Sequence, residues 1–422
     1  MTYFSADESH AIALDQADPL ASYREQFFLP RDPNGDPLIY FCGNSLGLQP
    51  KQTREIVTQE MDKWATLAVE GHFQTPRPWY GYQERLAEPM ANLIGARPDE
   101  VVLMNSLTVN LHLMLVSLYR PTPTRYKILI DSPSFPSDTY AVKSQLVHHG
   151  FDPANSLIQA RPRSGEETLH LDDLQQLIED HQHELALVLL GGVNFYTGQA
   201  HEIATLAASA HQAGVCFGLD LAHAAGNIPL ALHDWGIDFA VWCTYKYLNS
   251  GPGSVGGCFL HERHAKDTSL PRFAGWWGND PETRFQMQLL PEFVPQPTAD
   301  GWQISNPPIL SLAPVASSLE IFEQAGMPKL REKSLRLTGY ARWLIERLGS
   351  DRYEIITPAE PEQHGCQLSL YVHDRPQELF SALRSAGVVG DFRQPNVVRI
   401  APMPLYNTFH EVWRFVRVLE SL

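Results

Sequence analysis

Residues 215–253 read VCFGLDLAHAAGNIPLALHDWGIDFAVWCTYKYLNSGPG, and two apolar runs inside this stretch decide the fold. VCFGLD (215–220) and FAVWCTY (239–245) are short, almost wholly apolar, and end on polar residues. A strand covered on both faces reads as such a continuous run and not as an alternation. Working outward, KILID (127–131), LALVLLGG (185–192) and GGCFL (256–260) have the same character. Between them lie HLDDLQQLIEDHQH (170–183) and HEIATLAASAHQAG (201–214), the second with apolar residues at helical spacing and a terminating Gly214. Strand and helix alternate, which predicts an α/β layer structure with a mainly parallel central sheet flanked by helices.

Ligands of such sheets sit at the carboxyl ends of the strands. Here those ends are polar: KILID leads into SPSFPSDTY, LVLLGGV into NFYTGQ, VCFGLD ends at Asp220, and FAVWCTY ends at Tyr245 and Lys246. Further along, 271–314 is Pro-rich and irregular and reads as a functional loop and connection. Helical segments (ASSLEIFEQAG, LREKSLRLTGYARWLIERLG), short strands (YEIIT, CQLSLYV, VVRIAP) and a last helix, HEVWRFVRVLESL, then predict a smaller α+β domain. The expected division is an N-terminal segment over 1–70, a large domain over 71–310 and a small C-terminal domain over 311–422.

The 422 residues are 44% hydrophobic, 19% charged and 10% aromatic, which argues against disorder, collagen and coiled coil. Thirty-two Lys and Arg against forty-eight Asp and Glu give a formal charge of −16 with no basic run. That field repels phosphate backbones and anionic lipid, so neither nucleic acid nor membrane is an expected partner. The five cysteines, Cys42, Cys216, Cys243, Cys258 and Cys366, are scattered and read as free thiols. The first residues lack a basic region followed by an apolar core, and Val101–Tyr119 is interrupted by Asn105, Ser106, Asn110 and His112, so neither signal peptide nor spanning helix is expected. The expected location is the cytoplasm.

Lys246 carries the chemistry. It follows an apolar run, between Tyr245 and Tyr247, where a strand-end lysine emerging into water is the plain alternative. An amine held away from bulk water is the kind of nucleophile that attacks an aldehyde. Asp220 closes another strand, with His223 three residues on, and a buried carboxylate needs a cationic or hydrogen-bonded partner. A protonated pyridine nitrogen is such a partner: in pyridoxal phosphate enzymes a carboxylate holds that nitrogen charged while a lysine carries the aldehyde. The alternative for Asp220 and His223 is a helix cap with a core histidine. In MNSLTVNLHL, Ser106, Thr108 and the amides of Leu107 and Thr108 stand where a helix should begin after VVLM, a place suited to phosphate or to a plain serine or threonine cap.

With these residues in view the chain resembles the kynureninase family, pyridoxal phosphate enzymes of the aspartate aminotransferase fold (fold type I). The resemblance runs through FCGNSLGLQP, EGHFQTPRPW, NSLTVNLH, DSPSFPSD, VNFYTGQ, the 218–253 stretch, FAGWWGND, ISNPPIL and VVRIAPMPLYN. It implies that the large domain binds pyridoxal 5'-phosphate, with Lys246 holding the aldehyde covalently, Asp220 on the ring nitrogen and His223 near the ring. Phe135 would lie on one ring face with Asp138 nearby. Leu107, Thr108 and Tyr245 would bind the phosphate, joined by Trp276 and Asn306 of a neighbouring subunit in a homodimer. Arg399 would take the substrate carboxylate, and Ser45, His72 and Asn306 would shape the pocket for the aromatic amine.

The implied activity is hydrolysis of L-kynurenine or 3-hydroxykynurenine to anthranilate or its 3-hydroxy form and L-alanine, with Lys246, Tyr245 and Asp220 as the catalytic groups. One departure is Gly191, where the resemblance leads one to expect a serine. The rival readings are a cysteine desulfurase-like or other fold type I lyase, with Cys366 as the nucleophile, and a catalytically silent cofactor binder.

GPGSVG (251–256) matches a dinucleotide-binding pattern but is followed by GCFL, a strand, where that motif needs a helix. No metal site is expected, because His148 with His149 and His261 with His264 lack acidic or thiol companions at metal spacing.

Overall fold

The computed structural model describes residues 4–74, 76–349 and 351–422; the first three residues of the N-terminal stretch lie outside the described residues. β1 (Ile39–Tyr40) precedes a seven-stranded sheet made of β2 (Val101–Met104), β3 (Lys127–Asp131), β4 (Leu157–Ala160), β5 (Leu185–Gly191), β6 (Cys216–Asp220), β7 (Phe239–Cys243) and β8 (Gly256–Leu260). Their order is β2-β8-β7-β6-β5-β3-β4. β3 to β7 pair in parallel, and β8 alone is reversed, pairing antiparallel with both β2 and β7.

The five apolar runs singled out in the sequence each became a strand, because side chains on both faces leave water. Ile128, Leu187, Phe217, Val241 and Phe259 are all wholly buried. Each such side chain contributes about 1.5–3 kcal/mol on burial. The Leu171–Asp180 and Ile203–Gln212 helices occupy the two intervening helical stretches.

β9 (Tyr353–Ile355), β10 (Leu368–Val372), β11 (Val388–Val389), β12 (Asp391–Arg393) and β13 (Val397–Ile400) follow. β12-β13-β10-β9 form an antiparallel sheet, while β11 pairs in parallel with β1. The Met327–Arg347 and Phe409–Ser421 helices cover that small sheet, burying Leu337, Leu344, Val412 and Phe415.

The N-terminal segment enters this second core: Ala11, Ile39 and Phe41 are buried in it. In contrast, the Ile309–Ala325 helix, beyond most of the expected boundary at 310/311, buries Leu312, Val315, Leu319 and Phe322 in the core of the large sheet. Among the described residues no helix is long and apolar enough to cross a membrane.

Candidate active site

Four strand ends and two helix starts converge on one cavity. After β2, Asn105 takes a left-handed backbone (φ 50°), and the Leu107–Leu118 helix begins with Ser106 as its cap residue. Ser106 makes no side-chain cap hydrogen bond, so the first-turn amides keep their donors facing outward. Gly256, at the start of reversed β8, lies against this turn: a Cβ there would stand 2.8 Å from the Trp242 carbonyl oxygen and 3.2 Å from the Leu107 nitrogen. Thr108 Oγ1 lies 2.9 Å from Ser137 Oγ, in the first turn of the Pro136–His148 helix that follows β3.

Phe135 caps that second helix and is 39% exposed, its ring centre 5.7 Å from Lys246 Nζ. Across the sheet, Asp220 ends β6 and its Oδ1 accepts the Ala222 amide at 2.7 Å. Lys246 Nζ lies 3.1 Å from His223 Nε2, and the other His223 nitrogen lies 3.2 Å from the Tyr247 hydroxyl. These side chains enclose about 560 Å3 of space open to solvent, lined by Leu107, Thr108, Phe135, Asp138, Asp220, His223, Tyr245 and Lys246. Eight sequence-predicted residues thus meet around one volume.

Its electrostatics follow from burial. The Asp138 carboxyl is pushed well above the usual carboxylate range by burial, then by Asp220, to which it is hydrogen-bonded. Burial therefore favours the protonated form of Asp138. Asp138 Oδ1 is buried and without a hydrogen-bond partner among the described residues. Burial, helped by Lys246, holds His223 well below the usual histidine range, so its imidazole is neutral. Burial and Cys243 raise the Tyr245 hydroxyl, which stays protonated and is a donor.

The remaining predicted residues do not line this cavity. Arg399 stands one residue behind it, wholly buried, donating from Nε to Asp391 Oδ1 at 3.0 Å and from Nη1 to the carbonyl of cavity-lining Phe195. Its Nη2 is 2.9 Å from Asp391 Oδ1 but is not aligned as a hydrogen bond, so a donor direction is left over. Ser45 donates to Asp391 Oδ2 at 2.6 Å, and Arg393 grips the same carboxylate at 2.8 and 3.0 Å. Burial raises Asp391, yet Arg399, Ser45 and Arg393 together hold it below the usual carboxylate range.

His72 and Asn306 line a separate groove of about 780 Å3 with Trp64 and Trp79, and His72 Nδ1 donates to the Val69 carbonyl at 3.0 Å. Trp276 packs edge-on against Trp277, with ring centres 4.9 Å apart.

Sequence reasoning missed Asp131, Asn194, Ser137 and Asp391. Asp131 closes β3, so the strand-end rule itself was the signal for it. Asn194 and Asp391 act through tertiary contacts that no spacing announces. A wider cavity of about 830 Å3 between Leu169–Leu174 and Gln199–Leu206 contains no lysine, so size alone does not locate the chemistry. Folding also gives His261 an acidic companion: Glu100, His233 and His261 gather at the far side of the sheet. There Glu100 already takes the amides of Arg97 and Glu262 and the His233 imidazole at 2.8–2.9 Å.

Comparison with known proteins follows the same lines. The kynureninase C-terminal domain family matches residues 330–419. Solved structures with a like fold include a cysteine desulfurase of Thermococcus onnurineus NA1, with TM-score 0.77 and 19% identity over 95% of this chain and 97% of that one. An alanine–glyoxylate aminotransferase of Nostoc sp. has TM-score 0.66 at 14% identity, covering 93% and 97%. The architecture is that of fold type I pyridoxal phosphate enzymes. Curated relatives are far more similar in sequence. Kynureninase of Myxococcus xanthus is 53% identical over 99% of this chain and 98% of its own, and that of Xanthomonas campestris 53% over 98% and 97%. Such identity from end to end goes well beyond a shared fold, and the chain belongs to the kynureninase family.

Proposed function

We infer that this chain catalyses the pyridoxal-phosphate-dependent hydrolysis of L-kynurenine, 3-hydroxykynurenine or both, releasing anthranilate or 3-hydroxyanthranilate and L-alanine in tryptophan degradation. The observation that carries this reading is one cavity holding the Lys246 amine, the Asp220 carboxylate and an uncapped helix start. The residues fit the cofactor on features of the structure itself. The free first-turn amides beside Thr108 suit a phosphate, Phe135 offers a flat face, and the buried Asp138 Oδ1 lacks a partner. When bound, pyridoxal phosphate supplies an aldehyde for the amine and a protonated ring that accepts electrons from the substrate α-carbon.

Lys246 would hold the cofactor and, when free of it, would move the α-carbon proton. Neutral His223, 3.1 Å away, holds the lysine nitrogen in place between proton transfers. The Asp220 carboxyl would pair with the ring nitrogen, while burial favours the protonated form of its neighbour Asp138. Tyr245, held protonated, donates toward the γ-carbonyl as water adds and the carbon–carbon bond breaks. Arg399, pinned by Asp391 and the Phe195 carbonyl, orients the substrate carboxylate through its remaining donor direction.

Trp276, Asn306 and His72 stand away from their own chain's cavity, in line with a homodimer in which they complete the partner's. The exposed Trp64, Phe73, Phe285 and Leu310 are apolar surface for such an interface. The cytoplasm is the proposed location. A desulfurase reading finds no support at Cys366, which is 1% exposed, 3.5 Å from Met403 Sδ, and pushed up to about 12 by burial.

The test is anthranilate fluorescence on mixing the cofactor-loaded protein with kynurenine, together with borohydride reduction and peptide mapping. Anthranilate release and a label on Lys246 are expected. A label elsewhere, or no anthranilate, refutes the reading.

A further inference from the structure

A buried imidazole with an unmet nitrogen stands behind the cavity. The His201 side chain is 3% exposed, and its Nε2 has no hydrogen-bond partner among the described residues. The carboxylate oxygen recorded beside it is Asp131 Oδ2, at 4.0 Å. Asp131 is itself buried and lines the cavity with Asp138 and Asp220, so three acids share one low-dielectric region. Asp131 Oδ2 also accepts from Asn194 Nδ2 at 2.9 Å, and that same amide nitrogen donates to the Pro133 carbonyl at 2.9 Å. Asn194 therefore ties Asp131 to the segment that carries Phe135 two residues later.

Position 191 faces the same oxygen. A Cβ built on Gly191 would lie 3.7 Å from Asp131 Oδ2 and 3.4 Å from the Val193 carbonyl oxygen, both ordinary contacts. A serine fits there and would bring a hydroxyl to Asp131, whereas glycine brings none.

We propose that His201 is a positioning residue: it supplies Asp131 with the donor that Gly191 does not, and through Asn194 and Pro133 it holds Phe135 against the cofactor ring. This rests on the cofactor reading above. An unpaired buried nitrogen is costly, and a modest closing of the 4.0 Å gap gives it a carboxylate partner.

The experiment compares wild-type protein with His201→Phe, His201→Gln and the double variant His201→Phe with Gly191→Ser. Pyridoxal phosphate affinity is measured by tryptophan quenching, and the visible circular dichroism of the bound cofactor reports its tilt. His201→Phe is expected to weaken affinity about tenfold, the worth of one charge-assisted hydrogen bond, and to reduce the dichroic band. His201→Gln, which keeps a donor, and the added serine are each expected to restore most of both signals.

Unchanged affinity and dichroism in His201→Phe overturn the proposal. So does a loss that neither donor restores, because that marks a packing role. If His201→Phe does not fold, His201→Leu, which also lacks a donor, takes its place under the same two criteria. Failure of wild-type protein to bind the cofactor overturns the underlying reading instead, so the two failures are distinguishable.

Discussion

Replacing Arg399 by lysine keeps the charge and removes the fork. In the structure the guanidinium donates to Asp391 through Nε, to the Phe195 carbonyl through Nη1, and keeps one direction of Nη2 free. A lysine ammonium is a point donor on a narrower stem and cannot serve an internal carboxylate, a carbonyl and a substrate carboxylate together. Two losses follow. One charge-assisted bond to Asp391 goes, costing about 1.5–3 kcal/mol of stability, softened because Ser45 and Arg393 still hold that carboxylate. The bond that the free Nη2 direction offers the substrate carboxylate also goes, again about 1.5–3 kcal/mol, or roughly 10- to 150-fold in kcat/KM.

Arg399 does not line the cofactor cavity, so the visible absorbance of the bound cofactor should stay as in the wild type. The assay is initial-rate anthranilate fluorescence over a range of kynurenine concentrations with cofactor saturating. The fall should appear largely in KM, since the carboxylate is present in both ground and transition states. A kcat/KM within threefold of wild type refutes the carboxylate role. A fall confined to kcat places Arg399 in the chemical step instead.

Asp138→Asn and Asp220→Asn should differ sharply, since burial favours the neutral form of Asp138, which asparagine mimics: the first should change cofactor affinity by less than about threefold, the second should cost activity about 100-fold or more. Comparable losses in both, measured by quenching and anthranilate release, would contradict a neutral Asp138. Asp138 also predicts a pH slope. Its folded value lies above the unfolded one, so the stability it contributes is full at acid pH and is lost as pH rises through the folded value. Apo Asp138→Asn should therefore unfold at a higher temperature than wild type at neutral pH, with the gap narrowing near pH 4.

Asp300, pushed up to about 7 by burial and then by Glu84, behaves alike: wild-type stability should decline between about pH 4 and 7, and Asp300→Asn should flatten that limb in thermal melts. Gly47→Ala would set a Cβ 2.4 Å from the Lys246 carbonyl oxygen and from Asn249 Oδ1, and should cost about 1–3 kcal/mol together with much of the activity. An active, equally stable alanine variant would show that this loop yields freely.

The large sheet was legible because buried parallel strands announce themselves as apolar runs. KILID and GGCFL gave their strands residue for residue, and the runs at 185, 215 and 239 gave β5, β6 and β7 with ends shifted by one or two residues. GPGSVG leads into a strand, with Gly251 and Gly253 at φ 83° and 80° in the turn before it. β1 and β11 were not legible, since two-residue strands are set by tertiary pairing and not by pattern.

At the site, residues closing strands were readable because topology gathers strand ends. Those that reach Asp391 were harder: Arg393 lies two residues along the same strand, but Arg399 meets it from the neighbouring strand and Ser45 from a distant segment, and only the folded chain shows that Ser45 spends its hydroxyl there. The groove holding His72 and Asn306 was invisible for a like reason, as residues more than two hundred positions apart share it.

The loop from Phe41 to Gly47 joins two bodies that the sheets keep apart. At one end Phe41 is sunk in the small core, its amide donating to Val389 and its carbonyl accepting from Ala401. At the other, the Gly47 amide donates to the Tyr245 carbonyl at 2.8 Å, one residue before the reactive lysine. A strap this short has little slack, so any displacement of the C-terminal unit would pull on the peptide beside Lys246. The sheet that bears Arg399 and the main chain beside Lys246 are in this way tied through one short segment.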